Sequence, residues 1–180
     1  MSKEIAVEIK PERPEDYADI YELNRAAFGE EGESILVEKI RRSADFIPGL
    51  SLVAIHDGRI VGHILFSLIR VRIQDHPDEE KPILSLAPMA VLPEFQSRGI
   101  GSALVRRGLE IARDLGHKAV VVVGHPDYYP RFGFTPARPK GLEAPFPVPD
   151  EAFMTLELEP HGLDGLTGTL VYPSAFDELS

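Results

Sequence analysis

A chain of 180 residues, 43% of them hydrophobic, is long enough to bury a sizeable core in one domain and short for two. Its formal net charge of −10 argues against a nucleic-acid or anionic-membrane partner, either of which calls for clustered Lys and Arg, and suits cationic substrates such as amines. There is no cysteine, which excludes disulfides, thiolate metal sites and acyl transfer through a protein sulfur. The N-terminal MSKEIAVEIK lacks the apolar run of a signal peptide, and no segment reaches the roughly 18 consecutive apolar residues of a membrane span, so the cytoplasm is the expected compartment.

Alternation of Ile5, Val7 and Ile9 predicts a first strand, β1, and Pro14 opens a helix, α1, with Tyr17, Ile20, Leu23 and Ala27 at helical spacing. A second helix, α2, fits Ser34 to Arg42, entered through a loop carrying Glu30, Glu31 and Glu33. The run from Leu50 to Ile73 reads as an antiparallel hairpin, β2 and β3, because Asp57-Gly58 is a strong two-residue turn between apolar runs. A polar loop follows. Ile83 to Leu92 then forms a largely apolar strand, β4, buried on both faces. Pro88 inside it lacks an N–H, so the sheet must bulge or open beside it. Ile100 to Leu115 is an amphipathic helix, α3, stopped by Gly116. Ala119 to Val123 is a β-branched run, β5, expected parallel to β4 through a right-handed crossover. Thr135 to Asp150 is proline-rich without periodicity, after which FMTLELE and LTGTLVY alternate as further strands.

The segment VLPEFQSRGIGSALVRRGLEIARDLG holds the strongest chemical signal. Gly99 and Gly101 stand where a helix begins and leaves backbone N–H groups unpaired, and these, with the positive end of the helix dipole, suit a pyrophosphate. Arg98 adds a charge-assisted contact. On these residues alone a tight strand-to-helix turn explains the glycines equally well. A dinucleotide fingerprint needs glycine where Leu104 stands, and no GxxxxGK[ST] loop occurs, so neither nucleotide motif fits.

The order Gln96-x-x-Gly99-x-Gly101 after a strand ending in Val-Leu-Pro resembles the acyl-CoA-binding motif of the GNAT acetyltransferase superfamily. YYPRFGF, Tyr128 to Phe134, is similar to the (L/Y)YxxxGF signature that follows β5 in that superfamily. The blocks LSLVAIHDGRIVGHILFS and GHPDYYPRFGF and the tail PFPVPDEAFMTLELEP look like its YhbS-like branch, and that match runs over nearly the full length. The resemblance implies a single N-acetyltransferase domain over 1–180, with 160–180 a C-terminal extension of it. Its α/β (α+β) fold has a mixed central sheet of about six to seven strands, β4 and β5 splayed, and helices on both faces. The implied co-substrate is acetyl-CoA, with no metal.

By position, backbone N–H groups of Gln96, Ser97, Arg98, Gly99, Ile100, Gly101 and Ser102 would take the pyrophosphate, and Met89, Ala90 and Val91 would pair with the pantetheine arm. One N–H of that strand would polarise the thioester carbonyl. Tyr129 matches the superfamily's usual acid; the alternative is an aromatic packed at the sheet edge, the reading that suits Tyr128. Two bases stay open. Glu33 is either a proton acceptor or a helix N-terminal carboxylate favoured by the dipole, and His125 is either an acceptor or a turn residue before Pro126. His56, His63, His76, His117 and His161 have no metal-ligand spacing and read as strand or loop residues.

The expected reaction is direct transfer of acetyl from acetyl-CoA to a small-molecule or peptide amine within a ternary complex, by a monomer or homodimer. Its rivals are a non-catalytic acyl-CoA-binding module and a protein-interaction domain on the same scaffold.

Overall fold

The computed structural model describes residues 4–179; residues 1–3 and 180, the two ends of the expected 1–180 domain, lie outside the described residues. In chain order the elements are β1 (Glu8–Pro11), α1 (Tyr17–Phe28), α2 (Gly32–Arg41), β2 (Phe46–His56), β3 (Arg59–Ile73) and β4 (Glu80–Val91). They continue with α3 (Ile100–Asp114), β5 (Ala119–Val123), β6 (Thr135–Pro136), β7 (Leu142–Glu143), β8 (Phe153–Glu157) and β9 (Gly168–Val171). The chain divides into two compact units. One holds the residues up to Ser67, Ala87–Ile111 and the segment from Ser174 on; the other holds Leu68–Leu86 and Ala112–Pro173.

In the first unit β1 pairs antiparallel with β2, Glu8 opposite Ile55 through Pro11 opposite Leu52, and β2 pairs antiparallel with β3. Asp57 and Gly58 have φ of 50° and 75°, the two left-handed residues that a tight hairpin needs to follow the strand twist. Successive β3 residues face opposite sides, and their neighbours show what covers each. At Gly62 a Cβ would lie 2.9 Å from the side chains of Ile100 and Leu104, so α3 lies on that face. His63 meets Asn24 of α1 on the other. Helices therefore cover both faces of β3. Leu52, Val53, Val61, Ile64, Leu65 and Phe66 are completely buried between them.

In the second unit β4 runs parallel to β5, with Leu84 opposite Val120 and Ser85 opposite Val121. That ladder ends three residues before Pro88, consistent with the opening expected beside a residue that cannot donate. β5 is held on its other side by five antiparallel pairs to β8. β9 pairs with β3 from Arg70 to Ile73 and with the two-residue β7, while the two-residue β6 joins β8. β4–β5 and β7–β9 are parallel, while β1–β2, β2–β3, β3–β9, β5–β8 and β6–β8 are antiparallel, which makes the sheet mixed. Nine strands occur among the described residues, against about six to seven expected; β6 and β7, both in the proline-rich stretch, supply the difference.

Candidate functional site

The glycine turn belongs to the first unit. β4 ends at Val91, whose side chain is buried like that of Ala90 before it; Met89 is half-buried. The Leu92 N–H then donates to the Val61 carbonyl at 2.9 Å, and Gln96 Nε2 donates to the Val91 carbonyl at 3.1 Å. The Gln96 side chain thus closes the end of the strand. Ser97 and Gly99 have φ of 62° and 83°, so the chain enters α3 through two left-handed residues, the second of which glycine adopts without strain. At this end a helical bond runs from Ala103 N–H to the Gly99 carbonyl at 3.0 Å, and the N–H groups of Ile100 and Gly101, one and two residues after Gly99, have no carbonyl of their own helix to bond. With exposed Arg98 beside them, they could hold an anion such as the diphosphate of an acyl-CoA.

Tyr129 and His125 belong to the second unit. The chain leaves β5, and the His125 carbonyl accepts from the N–H groups of Tyr128 and Tyr129 at 3.1 and 3.4 Å, starting a 3₁₀ turn over Tyr129–Phe132. His125 itself is exposed, while Tyr129 is only 7% exposed. Its ring packs edge-on against Tyr128 and Phe134, with centroids 5.1 and 5.7 Å away. Burial, with Tyr128 adding to it, pushes the phenol well above its ordinary pKa of 10.0, so it holds its proton at neutral pH. Gly124 permits this placement: a Cβ there would stand 2.5 Å from the Tyr129 ring. Sequence reasoning did not single out Gly124. Its signal was a glycine five residues before a tyrosine at the exit of a buried strand, where a close approach is one of the few reasons for glycine.

Glu33 stands in the first turn of α2, in the first unit. Helix N-termini favour carboxylates, which would lower its pKa. Its pKa is instead raised from 4.5, chiefly by burial, which outweighs the opposing pull of its own backbone N–H, with Glu30 adding to the rise; its Oε1 is buried with no hydrogen-bond partner. Ser34 beside it is fully engaged, donating to the Tyr21 carbonyl at 2.7 Å. Among the described residues no group of three or more His, Asp or Glu is placed to hold a metal ion, and no helix is long and apolar enough to cross a membrane.

A glycine-entered helix start of this kind suits an acyl-CoA-dependent transferase, and the family comparison agrees. Residues 17–134 match the model of the acetyltransferase (GNAT) family, and the chain belongs to that family, in its YhbS-like branch, as an N-acetyltransferase. It is 43% identical over 138 residues to the uncharacterized N-acetyltransferase YjhQ of Escherichia coli K12, covering 76% of this chain and 74% of that protein. It is 33% identical over 170 residues to the uncharacterized N-acetyltransferase YhbS of the same strain, covering 94% and 98%. The solved structure of Escherichia coli YhbS in complex with CoA superposes with a TM-score of 0.88 at 30% identity, covering 100% of this chain and 97% of that one. A GNAT family acetyltransferase from Brucella melitensis in complex with acetyl-CoA gives 0.77 at 33% identity, covering 96% and 99%.

Proposed function

We propose that this N-acetyltransferase binds acetyl-CoA at the glycine turn and passes its acetyl group directly to an amine in a ternary complex. The observation that carries the reading is the helix start at Ile100–Ser102, entered through left-handed Ser97 and Gly99. The absence of cysteine from the sequence favours direct transfer over a thioester on the protein. Backbone groups of Met89, Ala90 and Val91 hold the pantetheine arm, and the N–H groups from Gln96 to Ser102 hold the diphosphate. The domain is single, residues 1–180, with 160–180 its C-terminal extension; the compartment is the cytoplasm, and the enzyme works as a monomer or homodimer.

Glu33 is the favoured base. An alkylamine with a pKa of about 10 is protonated at neutral pH and attacks only after losing a proton. A carboxylate whose pKa is raised by burial and whose Oε1 lacks a partner is both more basic and available. The nitrogen forms its bond to the carbonyl carbon as the carbon–sulfur bond breaks, the amine proton passing to Glu33 or to water it holds. Tyr129 then meets the departing thiolate. Because burial opposes a phenolate there, Tyr129 acts by donating a hydrogen bond to sulfur while keeping its proton largely on oxygen. His125 is the weaker candidate, since its side chain is exposed.

The test is calorimetric titration of acetyl-CoA into the wild type and into Gly99→Glu, the variant first shown by circular dichroism to be folded. Saturable binding lost in the variant supports the site, because the new carboxylate repels the diphosphate and occupies its space. Equal binding by both proteins would move the cofactor elsewhere.

A further inference from the structure

The interior of the first unit holds an unbroken polar chain that the acetyl-transfer reading leaves unused. Asn24 on α1 donates through Nδ2 to the Ile20 carbonyl at 3.0 Å, and the same nitrogen lies 3.3 Å from His63 Nδ1. A carbonyl only accepts, so the amide presents its NH₂ to both groups, and Nδ1 must be the acceptor. The ring proton therefore sits on Nε2, which donates to Ser51 Oγ at 3.0 Å. The Ser51 hydroxyl in turn donates to Glu12 Oε1. Glu12 also receives the Arg41 guanidinium in a fork, Nε at 2.7 Å and Nη2 at 3.0 Å, and that guanidinium lies 3.7 Å over the Tyr17 ring.

These contacts are not a hydrolytic triad. In a triad the imidazole stands between hydroxyl and carboxylate and takes the hydroxyl proton. Here the hydroxyl stands between imidazole and carboxylate, donates its hydrogen bond to Glu12, and is sealed from solvent, Ser51 being 1% exposed. A charged His63 is also blocked: a proton on Nδ1 would face the Asn24 NH₂, and burial together with Arg41 already drives the pKa down to about 3. What the chain does is join elements. It ties α1 through Asn24 and the C-terminal end of α2 through Arg41 to β2 and β3. Ser34 bonded to the Tyr21 carbonyl secures the other end of α2 to α1, one residue from Glu33.

We propose that His63 is a positioning residue for acetyl transfer: held as the neutral Nε2–H tautomer, it fixes α1 and α2 against β2 and β3 and so sets where the Glu33 carboxylate stands. The proposal rests on the reading of Glu33 as the base. Glutamine at 63 can copy the role, since one amide supplies an acceptor toward Asn24 and a donor toward Ser51, whereas phenylalanine fills the space and supplies neither.

The test uses the intact protein labelled with ¹⁵N in histidine and ¹³C in glutamate carboxyls. In the wild type, His63 should show a pyridine-like Nδ1 and a pyrrole-like Nε2; the reverse pattern overturns the proposal. In His63→Phe the Glu33 titration midpoint should move by about one pH unit, with acetyl-CoA affinity within about twofold of wild type, and His63→Gln should restore the midpoint. A folded His63→Phe with an unmoved Glu33 midpoint overturns it equally. Should that variant fail to fold, Ser51→Ala cuts the chain between ring and carboxylate and must produce the same displacement. An ordinary Glu33 midpoint in the wild type that His63→Phe still displaces would retire Glu33 as the base while leaving His63 its positioning role.

Discussion

In the first unit the helix-to-sheet interior is threaded by polar groups, Asn24, His63, Ser51 and Glu12, with the Glu33 carboxylate half-buried at the start of α2. The Tyr129 turn of the second unit is enclosed by rings, and burial among Tyr128, Phe132 and Phe134 carries its phenol far from its ordinary range. Burial acts on His63, Glu33 and Tyr129 in one sense, toward the uncharged form. The outcomes differ because the neutral forms differ. A neutral imidazole is a directional donor and acceptor, and a neutral phenol is a donor. A carboxyl pushed toward neutrality makes a better base whenever it does ionise. Each region thus obtains a different chemical tool from the same desolvation.

The largest expected pH effect tests the His63 end of this comparison. Its pKa is about 3 in the fold against 6.5 in an unfolded chain, so between those values the unfolded state binds the extra proton. The stability linked to the neutral ring is fully present above pH 6.5 and is lost as pH falls toward 3, at about 1.4 kcal/mol per pH unit. His63→Gln cannot titrate. Urea unfolding at pH 7 and pH 5 should therefore show wild type losing about 2 kcal/mol more than the variant between the two. Parallel losses would mean that the ring is not held neutral.

Next comes the phenol. Tyr129→Phe removes the donor while keeping the rings packed, so kcat should fall about 100-fold with acetyl-CoA affinity unchanged. Gly124→Ala is milder and acts through shape: the added methyl meets the Tyr129 ring at 2.5 Å, which should lower stability by about 1–3 kcal/mol and alter the tyrosine near-ultraviolet circular dichroism. An unaltered spectrum with full activity would show that the ring position is not the controlling feature.

Much of this architecture is legible because it is local. The Asp57-Gly58 hairpin, the glycine turn into α3 and the β-branched run of β5 announce themselves within a few residues, and all stand where expected. What escapes is pairing at a distance. β6 and β7 are two residues each, and the partners of Thr135 and Leu142, Thr155 and Gly168, lie 20 and 26 residues later, so no periodicity marks them. His63 reads correctly as a strand residue, yet its partners stand 12 and 39 positions away. Strand periodicity tells which face a side chain takes and is silent on what meets it there. The same limit left Glu33 and His125 both open as bases: only three-dimensional burial separates a carboxyl with an unpartnered oxygen from an exposed imidazole.

The smallest expected effect separates the two readings of Glu33 that the sequence left open. A carboxylate favoured by the dipole of α2 would have a lowered pKa and would stabilise the fold as pH rises. Burial raises it instead, so its contribution is fully present below the ordinary value of 4.5 and is lost as pH climbs through the folded value. At neutral pH the ionised group is then a net liability, kept small by its partial exposure. Glu33→Gln should melt slightly higher than wild type at pH 7, with the gap closing toward pH 4, while amine acetylation falls and loses its dependence on that proton. A variant that melts lower at pH 7 would identify Glu33 as a dipole-stabilised surface carboxylate. A gain in stability joined to a loss of turnover is the behaviour of a group retained for chemistry at the expense of the fold.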